Sequence, residues 1–160
     1  MKATYTVNCS ILLTDLPLLD RPRAARDAGF TAVEFWWPFA TPTPSEADVT
    51  AFIRAIQDAG VSLTGLNFAA GDMPAGDRGI LSNPALQSAF RDNVAIAVDV
   101  ADTLGTKAFN ALYGNRDDAF LPSEQDDVAA DNLAFAAAEA RLSAATSSCS
   151  DGRNASSRLP

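Results

Sequence analysis

The sequence contains no histidine. That excludes a serine or cysteine nucleophile activated by imidazole, imidazole metal ligation and any histidine acid–base step. Cysteine is scarce as well: Cys9 and Cys149 are too few for a disulfide framework. Basic residues are outnumbered, 12 Lys and Arg against 20 Asp and Glu, for a net charge of −8. No basic face is available for a phosphate backbone, so nucleic acid is a poor partner. No apolar run approaches the roughly 20 residues that cross a bilayer, so no membrane partner is expected. The N-terminal stretch Met1-Lys2-Ala3-Thr4-Tyr5-Thr6 lacks a hydrophobic core segment, so secretion is not indicated and a cytoplasmic location is expected. Whatever chemistry the chain supports must rest on carboxylates, amides, hydroxyls, Arg and Lys.

What is present suits one soluble domain: 160 residues, 48% hydrophobic and 20% charged. One phrase recurs three times, a helix ending in Gly followed by a short strand ending in a polar residue. Asp27-Ala28-Gly29-Phe30 leads into Ala32-Val33-Glu34-Phe35, Asp58-Ala59-Gly60-Val61 into Leu63-Thr64-Gly65-Leu66-Asn67, and Thr103-Leu104-Gly105-Thr106 into Ala108-Phe109-Asn110. A strand over residues 4–8 precedes the first phrase. Each helix carries its own start signal. Asp20 with Pro22 in the first turn opens the first, Ser45 with Asp48 three residues on opens the second, and Asn83-Pro84 opens the third. Val49, Phe52, Ile53, Ile56 and Ala59 follow the helical period, as do Leu86, Phe90, Val94, Ala97, Ala101 and Leu104. A fourth helix is expected from Ser123, with Ala129, Leu133, Ala136, Ala137 and Ala140 on one face.

Residues 143–160 differ in character. They hold 6 serines, as many as the preceding 142 residues together. Such a segment has too little apolar surface to order itself, and it is expected to be a disordered or frameshifted tail. Residues 1–142 then form one domain of four strand–helix units. This is an α/β fold, with its polar side chains gathered at the C-terminal ends of parallel strands. A small doubly wound sheet with helices on both faces is the competing arrangement.

That rim would collect Asn8, Glu34, Asn67 and Asn110. Glu34 sits among Val33, Phe35, Trp36 and Trp37, where a charge is costly without a partner. It either serves as a general acid or pairs with an arginine such as Arg78 or Arg116. Asn67 and Asn110 either bind a substrate hydroxyl or carbonyl or cap their own loops. The loop over 69–80 is long for a compact domain. Arg78 in it either clamps a carboxylate or pairs locally at a turn. Trp36 and Trp37 either pack or stack on a sugar, and Cys9 reads as a small buried hydrophobe.

The segments Val7-Asn8-Cys9-Ser10-Ile11-Leu12-Leu13-Thr14, Ala28-Gly29-Phe30-Thr31-Ala32-Val33-Glu34-Phe35 with Pro38, Leu66-Asn67 with Gly71-Asp72, and Gly76-Asp77-Arg78-Gly79 together resemble the hydroxypyruvate isomerase family. That family belongs to the sugar isomerase/epimerase-like TIM barrels, and the likeness runs over about residues 3–140. The resemblance implies a parallel (βα)4 half of a TIM (β/α)8 barrel. It also implies an aldose–ketose isomerase chemistry, hydroxypyruvate to tartronate semialdehyde through an enediolate, with a small hydroxy-acid or sugar-like substrate. A divalent metal is implied for a full-length relative and no cofactor for this chain. The family's two catalytic glutamates lie on later strands, beyond the last matching segment Asp131-Asn132-Leu133-Ala134-Phe135-Ala136. Asn110 stands where some relatives have histidine. Glu34, Asn67, Asp72, Arg78 and Asn110 are therefore the substrate-binding candidates, with no catalytic residue assigned. The expected activity of this chain alone is negligible. The alternative is a non-catalytic half-barrel that self-associates, as a homo-oligomer, or binds a partner through open sheet edges.

Overall fold

Helix α3 (Glu46–Ala59) forms where its local signals place it. Ser45 caps it in extended backbone, its Oγ accepting from the Asp48 N–H (3.2 Å) and its hydroxyl donating to the Asp48 carboxylate (2.7 Å). Phe52, Ile56 and Ala59 turn inward, and Gly60 ends the helix at φ 65°, a conformation that disfavours any residue with a Cβ. Helix α4 (Gln87–Leu104) follows a 3-10 turn, Pro84–Leu86, that Asn83 caps by accepting from the Ala85 N–H (2.9 Å).

The computed structural model describes residues 5–154. Four strands alternate with the helices: β1 (Thr6–Asn8), β2 (Ala32–Phe35), β3 (Ser62–Asn67) and β4 (Ala108–Asn110). Between β1 and β2 lie α1 (Cys9–Leu12) and α2 (Arg21–Asp27), the latter with Pro22 in its first turn as expected. The single turn α1 falls where only a connection was expected. Asn8 creates it by accepting from the Ser10 N–H (3.0 Å). Residue 4, expected to open the first strand, lies outside the described residues.

The strands pair in parallel in the order β1-β2-β3-β4. Val7, Val33 and Leu63 share one level. After an irregularity beside Glu34, Phe35, Leu66 and Phe109 share the next. These side chains meet Phe52, Ile56, Phe90 and Val94 in one core between sheet and helices. Phe35 and Phe52 pack edge to face at 5.1 Å, and Phe68 lies edge-on to Phe90 (5.5 Å) and stacked on Phe109 (5.1 Å). The alternate positions Thr6, Asn8, Glu34, Asn67 and Asn110 contribute nothing to that core. A parallel sheet with one helix-covered apolar face and one polar face is half of a (β/α)8 barrel, not a doubly wound sheet.

Helix α5 (Pro122–Asn154) corrects one expectation. Ala129 and Ala136 are buried as predicted, but Leu133 is 53% exposed, and Gln125 and Asn132 are buried in its stead. Both amides are satisfied. Gln125 accepts from the Asp117 N–H (3.0 Å) and donates to the Asp117 and Phe120 carbonyls (3.0 and 3.1 Å). Asn132 accepts from Arg91 Nε (3.1 Å) and donates to the Leu81 carbonyl (2.9 Å). An amide whose hydrogen bonds are made can be buried without leaving an unsatisfied group, so the helix can turn that flank inward. The segment expected to be a tail from residue 143 continues α5 as backbone to Asn154, and residues 155–160 lie outside the described residues. Extending an existing helix adds one hydrogen bond per residue and needs no buried face.

Cys9 is fully buried, and burial lifts its thiol from 9.0 to about 11 against the opposing charge of Arg21. The folded state therefore holds this proton more tightly than the unfolded chain. Stability is unaffected by Cys9 below pH 9 and falls as the pH rises from 9 toward 11. In a Cys149→Ser background, alkylation of Cys9 by iodoacetamide at pH 8 is expected only on unfolding. Rapid labelling of the native protein would contradict this.

Candidate functional site

The C-terminal ends of the strands open onto a cleft of about 860 Å³. Its walls come from successive units: Ser10 after β1, Trp36 and Trp37 after β2, Asn67 at the end of β3, and Asp72 and Arg78 in the loop beyond. Two contacts hold these walls in place. The Trp36 N–H donates to Ser10 Oγ (3.1 Å), joining the ends of β1 and β2. Asn93 of α4, fully buried, accepts from the Ala69 N–H (2.8 Å) and donates to the Pro42 carbonyl (2.9 Å), joining the loops after β2 and β3. Trp37 resolves toward packing: its Nε1 donates to the Thr41 carbonyl (2.8 Å) and its ring meets Phe39 edge-on at 5.1 Å.

The loop after β3 uses its carboxylates on itself. Asp77 accepts from the Asp72 N–H (2.7 Å), the Asp77 N–H donates back to the Asp72 carbonyl (3.0 Å), and the Asp72 carboxylate accepts from the Ala75 N–H (3.1 Å). Arg78 donates to the Met73 and Asp77 carbonyls (3.2 and 2.6 Å). Arg21, which lines the same cleft, donates to the Leu16 and Thr14 carbonyls (3.0 and 3.4 Å). Neither guanidinium forms an ion pair among the described residues; the pairs that do form are Arg23–Asp27 and Arg116–Asp126. In a chain of net charge −8, one cleft thus holds two arginines anchored by neutral carbonyls and a single carboxylate that is already engaged. Such a site attracts a small anion.

Asn67, Asp72 and Arg78 are brought together in this cleft; Glu34 and Asn110 are not. Glu34 is half-buried on the uncovered face of the sheet and accepts from Asn8 Nδ2 (2.9 Å), its register partner on β1. The expected arginine partner is not there. Arg116 turns to Asp126 (2.7 Å) and lies over the Tyr113 ring at 4.9 Å, and Arg78 stays within its own loop. The strand pairing puts an amide beside Glu34, while both arginines sit on loops past the strand ends. The hydrogen bond from Tyr113, with help from Arg116, holds the Asp126 carboxyl below its usual range and closes the loop after β4. Asn110 shares its level with Asn67 but stands exposed on the edge strand. Arg21, Ser10 and Asn93 were not legible as site residues. Nothing in their local sequence distinguishes them from helix-terminal and helix-interior polar residues. Among the described residues, no three His, Cys, Asp or Glu side chains converge to hold a metal.

Residues 22–144 match the family model described as xylose isomerase-like TIM barrel. Over 135 residues the chain is 56% identical to a Streptomyces coelicolor protein provisionally named hydroxypyruvate isomerase, a match covering 83% of this chain and 48% of that protein. It is 32% identical over 133 residues to the hydroxypyruvate isomerase of Escherichia coli, covering 83% and 49%. It is 31% identical over 137 residues to the 2-oxo-tetronate isomerase of Pectobacterium atrosepticum, covering 83% and 48%. Among solved structures it superposes on the family 2 AP endonuclease of Brucella melitensis with a TM-score of 0.71 at 26% identity, over 88% of this chain and 52% of that one. The chain spans about half the length of the curated relatives it matches.

Proposed function

Because the chain belongs to the xylose isomerase-like TIM-barrel family, we propose that its cleft binds a small hydroxy-carbonyl acid, and that its four βα units supply binding without turnover. The observation behind this reading is the pair of arginines lining one cleft with no carboxylate partner among the described residues. A carboxylate substrate supplies the missing charge. Arg78 and Arg21 hold it, and the Asn67 amide, at the end of β3 in the same cleft, donates to a hydroxyl or carbonyl oxygen. Isomerisation of such a compound needs a base that removes the proton on the hydroxyl-bearing carbon and returns it to the neighbouring carbon of the enediolate. Among the described residues the carboxylate in the cleft is Asp72, which already accepts from Ala75, and Glu34 lies outside the cleft. With no histidine to substitute, binding proceeds and proton transfer does not.

Calorimetric titration with tartronate, a hydroxy diacid that resists isomerisation, tests the reading. Charge-assisted hydrogen bonds contribute about 1.5–3 kcal/mol. Arg78→Ala is therefore expected to weaken binding about 10- to 100-fold, with no loss of thermal stability because Arg78 is exposed. Equal affinity of the variant, or no binding by the parent, would overturn the assignment. Conversion of hydroxypyruvate above the uncatalysed rate would overturn the clause on turnover alone.

A further inference from the structure

Among the described residues Glu34 is the only charged residue on a strand, and it does not line the cleft. The pairing of β2 with β3 shifts register between Val33 and Glu34. Irregularities of this kind re-aim a side chain and recur beside active sites. Glu34 turns to β1, and its carboxylate begins a chain of hydrogen bonds that ends in the cleft. Glu34 Oε1 accepts from Asn8 Nδ2 (2.9 Å), Asn8 Oδ1 accepts from the Ser10 N–H (3.0 Å), and Ser10 Oγ accepts from the Trp36 N–H (3.1 Å). The chain leaves β2 at Glu34, crosses to the end of β1 and returns two residues further on, at Trp36.

Each link has one polarity. A carboxylate only accepts and a backbone N–H only donates, so Asn8 must give its NH2 group to Glu34 and its oxygen to Ser10. An aspartate at position 8 would set two carboxylates face to face. The bond from Asn8 to an ionised acceptor is the strongest kind in the chain. Glu34 therefore fixes Asn8, and Asn8 fixes Ser10. A hydroxyl that accepts one bond keeps its own proton to give. Ser10 and Trp36 both line the cleft.

We propose that Glu34 is a positioning residue for this cleft. Acting through Asn8, it sets the Ser10 hydroxyl as a further donor to the bound acid, beside Asn67 and the two arginines. The identity of the acid rests on the function proposed for the cleft; the relay stands on its own bonds. The relay works by hydrogen bonding, so an uncharged acceptor in place of Glu34 sustains it.

Amide hydrogen exchange of the full chain, followed by NMR without ligand, reads the Ser10 and Trp36 N–H groups directly. Glu34→Ala and Asn8→Asp are each expected to speed exchange at both by about tenfold or more. Glu34→Gln keeps an acceptor for Asn8 and is expected to hold both within about threefold of the parent. Combining Asn8→Asp with Glu34→Gln exchanges donor for acceptor across the pair, so protection is expected to return. Lost packing at either position would not be cured by the second change. Tartronate affinity is expected to fall about 3- to 10-fold in Glu34→Ala and Asn8→Asp and to recover in the combined variant. Adding Glu34→Ala to Ser10→Ala is expected to weaken binding no further than Ser10→Ala alone, because both act through one hydroxyl. Parent-like exchange in Glu34→Ala, fast exchange in the combined variant, or additive losses with Ser10→Ala would each overturn the proposal. A parent that binds no tartronate would overturn the reading of the cleft and the role of the Ser10 proton, and the exchange rates would still decide the relay.

Discussion

Gly79→Ala is expected to remove about 3 kcal/mol or more of stability and to lower the melting temperature by about 6–12 °C for a chain of this length. Gly79 has φ 129°, a region closed to residues with a side chain, and an alanine Cβ there would overlap the Leu112 carbonyl. The neighbour is backbone and cannot swing aside as a flexible side chain would. Gly79 also forms an antiparallel bridge with Tyr113, and its N–H donates to the Ala70 carbonyl (3.0 Å). Around it, the Leu81 and Ser82 N–H groups donate to the Leu112 and Tyr113 carbonyls (3.3 and 3.0 Å). The substitution therefore pushes apart the segments after β3 and β4. Arg78, one residue away, loses its position in the cleft, so tartronate binding should fall together with stability. A variant that melts with the parent would show that the loops do not meet as described.

Asn93→Asp is expected to be the most damaging change that preserves size and shape. Asn93 is fully buried and uses both halves of its amide, accepting from Ala69 and donating to Pro42. A carboxylate retains the acceptor and turns the donor into a second acceptor facing the Pro42 carbonyl. Leaving a buried charge without a partner costs about 3–5 kcal/mol. Asn93→Ala should cost about 2–6 kcal/mol, through two orphaned backbone groups at about 1–3 kcal/mol each. pH separates the two variants. The buried acid in Asn93→Asp would be held protonated, so its folded-state pKa lies above its unfolded value. The variant is then least impaired below about pH 4 and loses further stability as the pH rises through that folded value. The Asn93→Ala deficit should not vary with pH in the same window. Thermal melts at pH 4 and pH 7 distinguish these outcomes, and parallel deficits for both variants would sink the assigned donor–acceptor arrangement.

Local rules account for most of what is legible in the sequence. Ser45, Asn83 and Pro22 mark helix starts because capping and a fixed φ act within a single turn. The apolar period of α3 is readable because one face of that helix meets one continuous core. The same rule fails at α5, where buried amides at Gln125 and Asn132 turn Leu133 outward. Their partners, Asp117, Phe120, Leu81 and Arg91, lie on other segments, and composition along one helix does not report them. The site divides in the same way. Asn67, Asp72 and Arg78 share a cleft as their place at or after a strand end implies. The partner of Glu34 is an amide rather than the expected arginine, because register puts Asn8 beside it and register is a property of paired strands.

By itself the sequence determined four strand–helix units, their order, the polar residues at the strand ends and a chemistry without histidine, since these follow from residue type and spacing within a few turns. The tertiary structure alone decided that Arg21 joins Arg78 over one cleft, that Asn93 fastens two loops, and that Leu133 is left facing outward. Each depends on distances between segments far apart in the chain, set by how sheet and helices pack.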